Sequence, residues 1–227
     1  MSIIHVNYEV ASTSYKIGQV LKKLEAYALI SFDTETQSVY SKEERTKAAK
    51  LVEQWKKDKV AEAKYSREEQ KLIRQIGKSS GLSYPTLVKV THFIFGVSED
   101  LSYIIISYNQ QTEQRIWKWL ADYQGHTIVH NSLFDFKIMY QRIGKLPQSY
   151  DDTQIMARVQ TNDADEFEGK VGLKELMGSY YDPKWTLLDE DGYDVVDYKN
   201  EAFLRYCAID GCATFLLFKI LVGEYSE

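Results

Sequence analysis

The chain has 227 residues, 44% of them hydrophobic and 27% charged, with only 3 Pro and a net charge of −5. That length supports one substantial core, the composition is that of a globular protein, and no apolar run approaches a membrane span. The N-terminus "MSIIHVNYEVAS" lacks the basic start and apolar stretch of an export signal, which makes the cytoplasm the expected compartment. The chain opens with a short strand ("IIHVNYEV") and an amphipathic helix carrying Ile17, Val20, Leu21 and Leu24 at helical spacing. A buried strand follows at 28–34. About forty polar residues come next, with two Ser-x-x-Glu capping boxes, Ser41…Glu44 and Ser66…Glu69, which predict helices over roughly 42–64 and 67–76. Gly77 and Gly81 punctuate the end of this segment. Strands resume at Leu87–Val97 and Leu101–Tyr108, joined by a hairpin turn at "SED". Residues 112–123 predict a helix with Ile116, Trp119 and Leu120 on one face. A strand at 127–130 runs into the helix "NSLFDFKIMYQRIG", closed by Gly144. Asp152-Thr153 heads "QIMARV", a short helix lies around Leu173–Met177, "DPKWTLLDEDGYD" reads as an exposed loop, and a last helix spans roughly 199–222. Alternating strands and helices plus one hairpin predict a mixed sheet flanked by helices.

Three segments place an acid where apolar structure ends. In "ALISFDTETQS" Asp33 and Glu35 are two apart on a strand and therefore point the same way. Like charges beside a core are unfavourable unless a cation holds them; the bland alternative is a strand-end pair facing solvent. In "VHNSLFD" Asn131 can cap a helix, with Asp135 one turn on, where an acid also suits the helix dipole. In "RYCAID" Tyr206 and Asp210 sit i, i+4 on one face of an otherwise apolar helix. Oxygen-only ligands select hard cations, Mg²⁺ or Mn²⁺, and two such ions roughly 3.5–4 Å apart clamp the attacking and leaving oxygens of a phosphodiester. His126 and His130 have no Cys or His partner at metal spacing and read as structural, while Asp151 and Asp152 read as turn and helix-cap residues. Cys207 and Cys212 do not share a helix face and read as core.

These three segments together resemble the motifs of the DEDD 3′→5′ exonucleases in their tyrosine form: "FDTET", "HNSLFD" and "YCAID". "YDDTQIMARV" and "GLKELMGSYY" resemble accompanying segments of polymerase I-type proofreading domains and RNase D. The histidine form is excluded by Arg205, which stands five residues before Asp210. The resemblance implies a ribonuclease H-like α/β fold, a mostly five-stranded mixed sheet with helices on both faces and a helical insertion. It implies a single exonuclease domain over 1–227 with a basic insert at about 38–80, and two divalent cations. Asp33 would bridge both ions, Glu35 and Asp210 would complete the first site, and Asp135 would hold the second through water. Tyr206 would position the attacking water with Glu35. Thr34 and Asn131 would contact substrate, and Asn131 would organise the turn carrying Asp135. The expected substrate is a single-stranded DNA 3′ end in proofreading or repair, in a bacterial or phage replication setting, with a DNA polymerase or other replication protein as partner. An RNase D-like exoribonuclease is the alternative enzyme. A binding module with a vestigial site is the alternative from another class. Residues 41–80 hold 12 Lys/Arg against 7 Asp/Glu, so Lys56, Lys57, Lys59, Lys64, Arg67 and Lys71 are expected either to contact nucleic acid or a partner, or to be the solvated face of a helical hairpin. Leu51, Val52 and Trp55 share a face there and need a packing surface.

Overall fold

The computed structural model describes residues 5–77, 84–161, 171–182 and 199–224. Six strands, β1 (Asn7–Ala11), β2 (Leu29–Ser38), β3 (Val88–Gly96), β4 (Leu101–Ile106), β5 (His126–Val129) and β6 (Tyr150–Asp152), form one sheet in the order β1-β4-β3-β2-β5-β6. β1 runs parallel to β4, and β5 runs parallel to both β2 and β6, whereas β3 and β4 make an antiparallel hairpin. The sheet is mixed, as expected, but has six strands rather than five. The sixth is the acidic tripeptide "YDD", which becomes a strand by pairing with Thr127, Ile128 and Val129, a non-local effect that local periodicity does not carry.

Helices cover both faces. α1 (Ser14–Leu24) starts at Thr13, whose hydroxyl accepts from the Lys16 N–H, and buries the four residues its periodicity selected. The next three helices lie in the insert described below. α5 (Gln110–Asp122), capped by Asn109, inserts Trp117 among Phe32 and Phe93, with ring centroids 5.6 and 4.8 Å away. Its buried face is therefore Ile116, Trp117 and Leu120; Trp119, expected there, is only half-buried and packs on Phe95 and Tyr123. α6 (Ser132–Ile143), α7 (Thr153–Thr161) and α8 (Leu173–Tyr180) precede α9 (Glu201–Leu221). α9 lays Phe203, Leu204, Cys207 and Ala208 on Ile94, Ile104 and Ile106, the opposite face of the hairpin from Phe93. Both cysteines are free and buried. Most of the expected loop at 182–194, Gly81 and the first residues of the opening strand lie outside the described residues. Among the described residues, no helix is long and apolar enough to cross a membrane.

The chain divides into two compact units, residues 1–35 with 91–227, and residues 36–90. The second unit contains α2 (Lys42–Lys57), α3 (Lys59–Glu62) and α4 (Arg67–Gly77). Both capping boxes form in full, Ser41 with Glu44 and Ser66 with Glu69. The single helix expected over 42–64 breaks at Asp58, whose carboxylate turns back to cap Val60 and Ala61 and restarts the chain as α3. Trp55 is fully buried, with Tyr65 at 5.1 Å and the Arg74 guanidinium at 5.6 Å from its ring. Ala48, Ile76 and Leu87 complete this small core, and Leu51 and Val52 are half-buried.

Candidate active site

β2 has two faces with different tasks. Phe32 points into the aromatic cluster, so Ser31, Asp33 and Glu35 point to the side where α9 lies. The Ser31 hydroxyl accepts from the Gly96 N–H at 3.0 Å and donates to the Gly211 carbonyl at 2.6 Å. A Cβ at Gly211 would stand 2.8 Å from Ile94 Cγ2 and from Ser102 Oγ, and one at Gly96 would stand 2.4 Å from the Gly211 oxygen. Two glycines therefore let a helix touch the sheet backbone, with Gly211 one residue from Asp210 and the bonded Ser31 two residues from Asp33. As a result Asp33, Glu35 and Asp210 bring a carboxylate oxygen each to within 4.8 Å of one another.

Asp135 arrives from α6 and is only 2% exposed. Its carboxylate accepts a short hydrogen bond from the Thr34 hydroxyl, which is itself buried. The Thr34 hydroxyl thus holds Asp135 from the β2 face opposite Asp33. Asn131 departs from the expected side-chain cap: it stands in the left-handed region with φ 61° and its side chain makes no capping bond. The carboxylate of Asp152, at the end of β6, replaces it. That carboxylate accepts from the Asn131 and Ser132 N–H groups at 3.1 and 2.7 Å, and from the Gln154 N–H at 2.9 Å. One acid thereby caps α6 and α7 together and fixes the turn that carries Asp135.

Electrostatics at the cluster are adverse without cations. Burial, then Asp135, Glu35 and Asp210, hold the Asp33 carboxyl well above its usual range. Glu35 is pushed up to about 8 by burial and by Asp210 and Asp135, with Lys174 opposing. Burial raises Asp135 to about 7 against the Thr34 hydrogen bond. The Tyr206 phenol donates to Asp210, and burial together with that acid and Glu35 raises it far beyond titration. Its ring stacks on Phe203 at 6.3 Å and carries the Lys174 ammonium 5.1 Å from its centroid. Carboxylates forced toward protonation, which offer clustered oxygen ligand atoms, fit hard divalent cations.

Asp33, Glu35, Asp135, Tyr206 and Asp210 thus converge from β2, α6 and α9. Lys174 and Asp152 complete the setting. Sequence reading singled out Asp152 only as a local cap, and Lys174 carries no signal because its neighbour Tyr206 lies in another helix. His126 bonds Ser149 and Asp151, and His130 bonds Thr153 at 2.9 Å, consistent with structural roles. The six insert cations are all exposed; Lys56 pairs with Glu53 and Lys59 with Glu62.

The 3′-5′ exonuclease family profile matches residues 88–225, which include Asp135, Tyr206 and Asp210. The chain belongs to this 3′-5′ exonuclease family. It is an enzyme class that hydrolyses nucleic acid from the 3′ end with two divalent metal ions, and the carboxylate cluster supplies the matching donors. Asp33 and Glu35 lie outside the matched range and join the site through the fold. No curated protein matches the chain by sequence. Among solved structures it is similar to the exoribonuclease RNase D of Escherichia coli, with TM-score 0.58 and 15% identity over 96% of this chain and 45% of that one. Brucella melitensis NrnC with bound Mg²⁺ has TM-score 0.55 and 17% identity over 97% of this chain and 82% of that one. Trypanosoma brucei RNase D in complex with RNA U12 has TM-score 0.60 and 13% identity over 97% of this chain and 64% of that one. The chain thus spans less than half of the E. coli enzyme. At these identities the likeness shows the fold, a ribonuclease H-like sheet flanked by helices.

Proposed function

We propose that residues 1–227 form one exonuclease domain of the tyrosine DEDD form, with the basic helical insert at about 38–80, which removes nucleoside 5′-monophosphates from 3′ ends. The observation that carries this reading is the convergence of Asp33, Glu35 and Asp210 within 4.8 Å, from positions 177 residues apart in the chain. Asp33, Glu35, Asp210 and Asp135, the last steadied by Thr34, would hold the two divalent cations. When bound, the cations lower the pKa of the attacking water and stabilise the leaving 3′ oxygen. Tyr206 stays protonated, gives its hydrogen to Asp210, and can accept a hydrogen bond from the attacking water. Glu35 holds the same water in line with the scissile phosphorus. The water oxygen forms the new P–O bond as its proton passes to solvent, the P–O3′ bond breaks, O3′ takes up a proton from solvent, and the shortened strand leaves with a 3′-hydroxyl.

DNA is the substrate we favour, in proofreading or repair beside a DNA polymerase, on the resemblance of "YDDTQIMARV" to polymerase I-type proofreading domains. A second reading, RNA, is favoured by the RNase D structures. Digesting 5′-labelled single-stranded DNA and RNA with Mg²⁺, Mn²⁺ or EDTA, alongside Asp33→Ala, separates them. A metal-dependent ladder shrinking from the 3′ end, absent in the variant, is expected, faster on DNA. Faster loss of RNA reassigns the substrate, and no loss of either polymer with metal present overturns the enzyme reading in favour of a binding module.

A further inference from the structure

We propose that the cleft between α2 and α4 binds the sugar–phosphate backbone of a single nucleic-acid strand, a contact distinct from the carboxylate cluster. The inference rests on the exonuclease reading for its choice of polyanion. The cleft has a volume of about 750 Å³, within the ~300–1,000 Å³ of ligand sites. Its lining includes Ala49, Val52 and Tyr84, and Lys56, Arg67, Lys71 and Arg74 against one acid, Glu53. Glu53 is already paired with Lys56, and Arg74 is paired with Glu62 beside Trp55. Arg67 and Lys71 stand i, i+4 on one face of α4, and among the described residues neither has an acidic partner within ion-pair distance. Two uncommitted cations in a cleft also lined by Ala49, Val52 and Tyr84 ask for a ligand with repeated negative charge and flat apolar faces. A single strand offers phosphates to Arg67 and Lys71 and a base to Tyr84. The cleft falls outside residues 88–225, so the family match does not supply it.

The test is fluorescence anisotropy of labelled (dT)20 with the full chain in EDTA, over a salt series. The variant Lys56→Gln/Arg67→Gln/Lys71→Gln is compared with the unaltered chain, and a melting curve checks its fold. The two lost phosphate contacts at Arg67 and Lys71, with Lys56 removed so that it cannot replace them, should weaken binding about tenfold at low salt and flatten the log Kd–log salt slope by about 1.4. Turnover of a dinucleotide with Mn²⁺ should be unchanged. If the triple variant melts early, Arg67→Gln and Lys71→Gln singly carry the test, each with about threefold weaker binding and a slope change near 0.7. Unchanged affinity and slope overturn the proposal. Competition by polyglutamate as strong as by unlabelled (dT)20 also overturns it, and marks the cleft as a site for an acidic protein. A chain that binds through these residues yet hydrolyses nothing would sink the exonuclease reading and leave the cleft standing.

Discussion

At the scale of single residues, the site depends on side chains that tune its acids. The Thr34 hydroxyl donates to Asp135 and so favours its charged form. In Thr34→Val that donor is gone, Asp135 rises further above about 7, and the protonated form persists to higher pH. The acidic limb of the pH–rate profile should therefore move upward, with kcat at pH 7 down by about tenfold on the scale of a lost hydrogen bond to a charge, and Thr34→Ser should restore both. Lys174 acts on the other side of the cluster, over the Tyr206 ring and against the negative charge of Glu35. Lys174→Met should lower kcat more than it changes KM, and Lys174→Arg should recover most of the loss. Equal kcat for the methionine variant would show that Lys174 does not tune the cluster.

At the scale of elements, the decisive contact is α9 against β3. The helix touches the sheet where glycine faces glycine, and Ser31 bonds both backbones. Gly211→Ala puts a methyl into Ile94 and Ser102, which overpacking makes worth about 1–3 kcal/mol of stability. Because Tyr206 and Asp210 ride on the same helix, activity should fall more steeply than stability. Urea unfolding and metal-dependent turnover on one preparation check the pair; a stable, fully active Gly211→Ala would show that α9 has slack. Asp152→Asn tests the other junction. A neutral amide cannot accept as strongly from the Asn131 and Ser132 N–H groups, so α6 and α7 should loosen together.

For the whole molecule, the raised acids link metal, proton and stability. Asp33, Glu35 and Asp135 hold protons in the folded chain at pH values where the unfolded chain has lost them. The metal-free chain is thus relatively most stable below about pH 4, and loses that stability as pH rises through about 7 for Asp135 and about 8 for Glu35. Cations reverse this by taking the place of the protons. The gain in Tm from Mn²⁺ over EDTA should therefore be larger at pH 8.5 than at pH 5.5. A gain independent of pH would mean that metal binding releases no protons from these groups.

The acids themselves were legible in the sequence, because chemistry restricts them: Asp33 and Glu35 by strand alternation, Tyr206 and Asp210 by helical spacing, Asp135 one turn into α6. So were the faces of α1, and the capping boxes of α2 and α4, since each depends on residues within four positions. What local pattern could not carry was everything that needs a distant partner. "YDD" is a strand only because β5 lies beside it, and the cap of α6 comes from Asp152 rather than Asn131 because β6 delivers it. The Thr34 hydroxyl holds Asp135 only because α6 brings that acid against β2. Lys174 meets Tyr206 only once α8 and α9 pack. The sequence by itself determined which groups could bind cations; tertiary structure decided that they meet, because a gap of 177 residues between Asp33 and Asp210 closes only through a helix resting on glycine.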